Sequence, residues 1–96
     1  MAPKQRGFGR RMNIYADAVS KWGRDSQLSQ CAEECAELIV AISHYRRRRK
    51  GSLENLHEEV ADVYIMVKQM MYMLGMSETS TEVMAKLASL ERRIKE

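Results

Sequence analysis

The chain of 96 residues carries 16 Lys and Arg against 13 Asp and Glu, a formal net charge of +3, with 45% hydrophobic and 30% charged residues. That balance suits one small soluble globular domain and excludes a disordered chain. No apolar run approaches the roughly 18 residues of a membrane span, and no apolar signal-peptide core follows the start.

Residues 1–12 hold Lys4, Arg6, Arg10 and Arg11 and no acid, which leaves a formal charge of −1 for the rest. The basic excess therefore belongs to a tail, read as flexible, with contact to an anionic substrate or a partner subunit as the alternative. The folded domain is placed at 13–96. Gly is sparse there and the only Pro is Pro3, so the chain reads as all-α. A first helix is expected from Asn13 to Trp22, ending at Gly23. Asp25 or Ser26 caps a long second helix that reaches Arg49. Gly51 and Ser52 supply a stop and a fresh N-cap for a third, lasting to Leu74, with Gly75 as its C′ residue. Ser77 or Thr79 caps the last, and Thr79 with Glu82 has the spacing of a capping box.

The two long helices repeat each other at an offset of 25 residues. Leu28, Cys31, Cys35, Leu38, Ile39, Ile42 and Tyr45 align with Leu53, Leu56, Val60, Val63, Tyr64, Val67 and Met70. Spacings of three and four residues give each helix one apolar face. In the same register Glu33, Glu34 and Glu37 align with Glu58, Glu59 and Asp62. At about 100° of rotation per residue, Glu34 and Glu59 sit about 80° from the middle of the stripe, and Glu37 and Asp62 about 140° on the same flank. Glu33 and Glu58 point nearly opposite the stripe. An antiparallel hairpin closed near Gly51 brings the two acidic segments to one height, with four carboxylates sharing a cleft. Such a cluster stays ionised only with counter-charge, and a hard cation such as Mg²⁺, which prefers oxygen ligands, supplies it. The alternative is two solvated acidic faces. Val40, Ile65, Met66, Met73 and Met76 lie outside the stripe, so flanking short helices and a second subunit are expected to complete a four-helix-bundle-like assembly.

Glu33-Glu34-x-x-Glu37 followed by Glu59-x-x-Asp62 resembles the paired acidic signature of MazG-like nucleotide pyrophosphohydrolases, members of the all-α NTP pyrophosphatase superfamily. The resemblance covers residues 20–95 and includes Trp22-Gly23 and the run Glu34-Cys35-Ala36-Glu37-Leu38. It implies hydrolysis of a nucleoside triphosphate to the monophosphate and pyrophosphate by a homodimer or homotetramer. It assigns Glu34, Glu37, Glu59 and Asp62 to Mg²⁺, with Mn²⁺ as a substitute. It gives Glu33 and Glu37 to catalysis, Glu33 either by supporting the metal ligands from behind or by assisting water activation. In the last helix Lys86 and Arg93 match cations that bind substrate phosphates in relatives, whereas the Asn and Tyr of that motif are replaced here by Leu90 and Ile94. Within the superfamily the alternative substrate is phosphoribosyl-ATP. Outside it stands a non-catalytic helical interaction module with a basic nucleic-acid-binding tail.

Other features carry plainer readings. Trp22 can stack on a nucleobase or pack at the first helix end. Arg46 to Lys50 form a basic run without phosphate-loop spacing, read as a solvated helix terminus, with nucleic-acid contact or steering of an anionic substrate as alternatives. His44, His57, Cys31 and Cys35 lack metal-finger spacing, so zinc is not favoured. The two cysteines read as small apolar residues in a reducing cytoplasmic setting. No His-Asp dipeptide occurs, which argues against the other common helical nucleotide phosphohydrolase type.

Overall fold

The computed structural model describes residues 14–96; the basic tail at 1–12 and the expected helix start at Asn13 lie outside the described residues. Four helices and no strand occur among the described residues: α1 over 14–22, α2 Arg24–Arg46, α3 Ser52–Leu74 and α4 Met76–Ile94. None of them is long and apolar enough to cross a membrane.

Local hydrogen bonding shifts several expected boundaries. Gly23 alone separates α1 from α2, so Asp25 and Ser26 lie inside the first turn of α2 and neither caps it. At its other end α2 stops at Arg46, short of the expected Arg49. The Arg49 N–H donates to the His44 carbonyl at 3.1 Å and the Arg48 N–H to Tyr45 at 2.9 Å. These are the two bonds of a Schellman stop, and Arg48 takes the C′ position with φ 58°. A left-handed non-glycine residue costs about 1–2 kcal/mol, which the satisfied terminal carbonyls offset. Gly75, with φ 112° and ψ 110°, alone links α3 to α4. That conformation is open only to glycine. Because α4 begins at Met76, Ser77 and Thr79 do not cap it. The Thr79 N–H instead donates to the Gly75 carbonyl at 3.3 Å, inside the first turn, and no Thr79–Glu82 capping box forms.

α2 and α3 are the packed pair, and α4 packs against α3 and not α2. Arg24 Nη1 donates to the Met73 carbonyl at 3.2 Å, and Gln69 Nε2 donates to Gln27 Oε1. Further along, Glu34 faces Glu59 and Asp62. Residue numbers fall on α3 as they rise on α2, so the two helices run in opposite directions. Their seam holds Gln27, Cys31, Glu34, Leu38 and Ala41 against Ser52, Leu56, Glu59, Val63, Met66 and Met70, none of them exposed. The spacings alternate between four and three, the 3.5-residue period of a coiled-coil seam. The 25-residue repeat survives in this seam: Gln27 and Ser52 are both buried, as are Ala41 and Met66.

The seam takes in only part of the expected apolar stripe: Cys31, Leu38, Leu56, Val63 and Met70 belong to both. Ile39 is 68% exposed and Tyr64 61%; Leu28, Ile42, Tyr45, Leu53, Val60 and Val67 are exposed too, and Cys31 is the one buried stripe residue. The short side chains of Cys31, Ala41 and Ser52 let the helices approach along the stripe's edge. The bulkier residues are left on an outward face. Both cysteines are free thiols, Cys31 buried and Cys35 exposed. Burial raises the Cys31 thiol above its ordinary pKa, and neighbouring Cys35 and Glu34 add to it. Cys31 thus behaves as a small packed residue.

Candidate metal centre

Glu34 and Glu59 occupy equivalent places in the α2–α3 seam, where a heptad pattern calls for an apolar knob. One oxygen of each, Glu34 Oε1 and Glu59 Oε1, is shut off from solvent and has no hydrogen-bond partner. The second oxygen of Glu34 accepts from Gln30 Nε2 at 2.8 Å, one turn earlier on α2. Asp62 lies one turn beyond Glu59 and is exposed. Carboxylate oxygens of Glu34, Glu59 and Asp62 come within 4.8 Å of one another.

Glu37 completes the group from the rim. It is exposed, yet its carboxylate lies within hydrogen-bond reach of Glu59. Glu59 is pushed above the ordinary glutamate pKa, first by burial and then by the charges of Glu37, Asp62 and Glu34, with the Glu37 hydrogen bond adding to it. No Lys or Arg answers these acids: the one ion pair among the described residues joins Lys95 to Glu91 at 3.2 Å, on α4. A donor set made only of carboxylates, two of them with idle buried oxygens, fits a hard divalent cation such as Mg²⁺ or Mn²⁺.

The structure thus gathers Glu34, Glu37, Glu59 and Asp62. Glu33 is exposed and joins none of their contacts. A cleft of about 310 Å³ opens beside Glu37 and Glu59, walled by Ala36, Val40, His44 and Asn55. His44 and His57 form no group of metal ligands with the cysteines among the described residues. Lys86 and Arg93 share a groove along α4 with Val83, Leu87 and Leu90, and no acid of the α2–α3 seam lines it. α4 contacts α3 and not α2, so within one chain no α2–α4 contact brings these cations to Glu34 or Glu37.

Trp22 lies elsewhere as well, at a largely apolar cavity of about 510 Å³ that α1 shares with α2 and α3. Ile14, Ala18, Ile65 and Met66 line that cavity, with Gln27, Gln30 and Gln69 as polar groups. The three glutamines were not singled out by sequence reasoning. Gln30, four residues before Glu34, carried a usable signal, since an amide one turn away can orient a carboxylate. Gln27 and Gln69 pair only across the seam and carried none. No protein family, curated protein or solved structure matches the chain.

Proposed function

We propose that the chain is a Mg²⁺-dependent nucleotide pyrophosphohydrolase of the MazG-like type, which converts a nucleoside triphosphate to its monophosphate and pyrophosphate. The observation that carries this is the pair of buried, partnerless oxygens on Glu34 and Glu59, flanked by Asp62 and Glu37. A bare carboxylate cluster in a helix seam is destabilising, and it is retained where a cation is meant to enter. Glu34, Glu59 and Asp62 are the ligands. Mg²⁺ held there would neutralise charge on phosphate oxygens and acidify water. Glu37, on the rim, accepts the proton of the water that attacks the α-phosphorus. The bond from that phosphorus to the bridging oxygen breaks, and pyrophosphate departs. Glu33, exposed and outside the cluster, is given no part in that step.

The cavity at Trp22 supports the nucleotide half of the proposal. It is apolar enough to take a base, offers Trp22 as a stacking partner, and connects through Gln30 to Glu34. Lys86 and Arg93 contact phosphate only if another subunit's α4 is brought to the site. Free thiols suit a reducing, cytoplasmic setting.

Assembly belongs to the same proposal. The α2–α3 hairpin is half of a four-helix-bundle-like core, completed when a second copy covers the outward stripe of Ile39, Ile42, Val60, Tyr64 and Val67. Light scattering on a sizing column should give the wild type a mass at least twice the 11.1 kDa of one chain. Combining Ile39→Glu with Tyr64→Glu should reduce it to one chain. A wild-type mass of a single chain would contradict the assembly.

The activity is tested by pyrophosphate release from dUTP, dCTP, the common NTPs and phosphoribosyl-ATP, with and without Mg²⁺. Release from at least one nucleotide, only with the metal, is expected. No release across the panel would sink the enzyme.

A further inference from the structure

Two glutamines are buried where α2 meets α3, in places that an apolar side chain would fill without losing contact with water: Gln27 is 7% exposed and Gln69 3%. An amide offers an acceptor oxygen and two donor hydrogens, and a buried one normally finds partners for both ends. Here one bond is made, from Gln69 Nε2 to Gln27 Oε1. The other ends, Gln27 Nε2 and Gln69 Oε1, bond to nothing else among the described residues. Nor are they shut in, since the closed-off atoms without a partner are those of Glu34 and Glu59. The open space that both glutamines line is the largely apolar cavity of about 510 Å³.

The pair therefore offers that cavity one N–H donor beside one carbonyl acceptor. Turning both amides over exchanges the two and leaves the same set. It complements a flat ring whose edge carries an acceptor next to a donor, as the pairing edge of a nucleobase does. The remaining walls suit the faces of such a ring, with Ile65 and Met66 from α3 and Trp22 from α1. Trp22 is 57% exposed, so core packing does not use up its indole. Gln30 lines the same cavity and donates to Glu34 Oε2 at 2.8 Å, which joins the cavity to the carboxylates.

We propose that Gln27 and Gln69 read the hydrogen-bonding edge of a nucleobase seated in this cavity, and so decide which bases the protein accepts. Gln27 precedes Glu34 by seven residues, about 10 Å along α2, which leaves room for a sugar between the base edge and the carboxylates. The inference specifies the base site of the nucleotide reading above and rests on that reading. Nucleosides lack the phosphates that hydrolysis needs, so with them the two can fail separately.

Trp22 is the single Trp of the chain, so its indole N–H gives one magnetic resonance signal to follow. The full chain in EDTA is titrated with uridine, cytidine, adenosine and guanosine, and with ribose 5-phosphate as the control. A saturable shift is expected with at least one nucleoside and not with the control. The same nucleoside methylated on the ring nitrogen of its pairing edge should bind about tenfold more weakly, the scale of a lost hydrogen bond that leaves a buried group unpaired. Gln27→Met and Gln69→Met should each weaken the natural nucleoside about fivefold and narrow its lead over the methylated one. Unchanged circular dichroism shows that the variants fold, and the methylated nucleoside decides the matter on the wild type alone. No saturable shift, equal binding of the natural and methylated nucleosides, binding indifferent to both substitutions, or the same shift with ribose 5-phosphate would overturn the proposal. Edge-selective nucleoside binding without pyrophosphate release from any nucleotide would uphold the base site and sink the hydrolase.

Discussion

Glu37→Gln and Asp62→Asn should each lower Mg²⁺-dependent pyrophosphate release by about a hundredfold or more, the scale set by removing a group that acts on the transition state. Each change keeps the shape of the side chain and deletes one negative charge. Both residues are exposed on the rim, so neither substitution disturbs the packed seam of Gln27, Cys31, Ala41, Ser52 and Met66. Asp62→Asn weakens the metal ligation and shows up as a higher Mg²⁺ requirement. On the proposed mechanism, Glu37→Gln should remove the proton acceptor and lower turnover even at saturating Mg²⁺. Deleting residues 1–12 should leave activity intact. The opposite pattern, active carboxamide variants and an inactive truncation, would favour the interaction module with its basic tail.

Glu59→Gln should stabilise the metal-free protein while removing its response to Mg²⁺. Glu59 sits half-buried in the seam, beside three other acids and in no ion pair among the described residues. Its folded pKa is raised, so the folded chain holds that proton more tightly than the unfolded chain does. The stabilisation is fully present below the unfolded glutamate pKa. It is lost as pH rises through the raised folded value. In EDTA the wild type should therefore melt at a lower temperature at neutral pH than at mildly acidic pH, and Glu59→Gln should flatten that slope. Saturating Mg²⁺ should raise the wild-type melting temperature at neutral pH, since a ligand bound only to the folded state stabilises it. The same addition should leave Glu59→Gln nearly unmoved. A wild type whose metal-free stability climbs steadily from mildly acidic to neutral pH would contradict the raised Glu59 pKa.

Much of this arrangement was legible in the sequence, for definable reasons. Gly23, Gly51 and Gly75 mark the three breaks because little else in the chain can interrupt a helix, and all three have positive φ. The 25-residue repeat placed Glu34 with Glu59 and Glu37 with Asp62, and those four do converge. Periodicity found only part of the face that turns inward: Cys31, Leu38, Leu56, Val63 and Met70 lie in the seam, while the rest of the stripe is exposed. Counting apolar residues finds the middle of a stripe, whereas the seam follows from which side chains are short enough for two helices to meet. Cys31, Ala41 and Ser52 decide that, and they moved Glu34 and Glu59 from the border of the stripe into the contact itself. Terminal hydrogen bonding was equally out of reach. Nothing in the run Arg46 to Lys50 announces that Arg48 will take a left-handed turn, and Asp25, Ser77 and Thr79 look like caps until Gly23 and Gly75 start the helices earlier. The placement of Lys86 and Arg93 depends on where α4 docks, and α4 buries none of its residues in one chain.

The central claim is that Glu34, Glu59 and Asp62 hold a divalent cation, with Glu37 beside them. The most direct measurement is titration of the chain with Mn²⁺, following the electron paramagnetic resonance of the free ion. Saturable uptake that Mg²⁺ displaces is expected, with Glu59→Gln weakening it at least about tenfold, as loss of a charged oxygen ligand should. A free-ion signal that rises in proportion to added Mn²⁺ from the first addition, or uptake equal in wild type and Glu59→Gln, would contradict it.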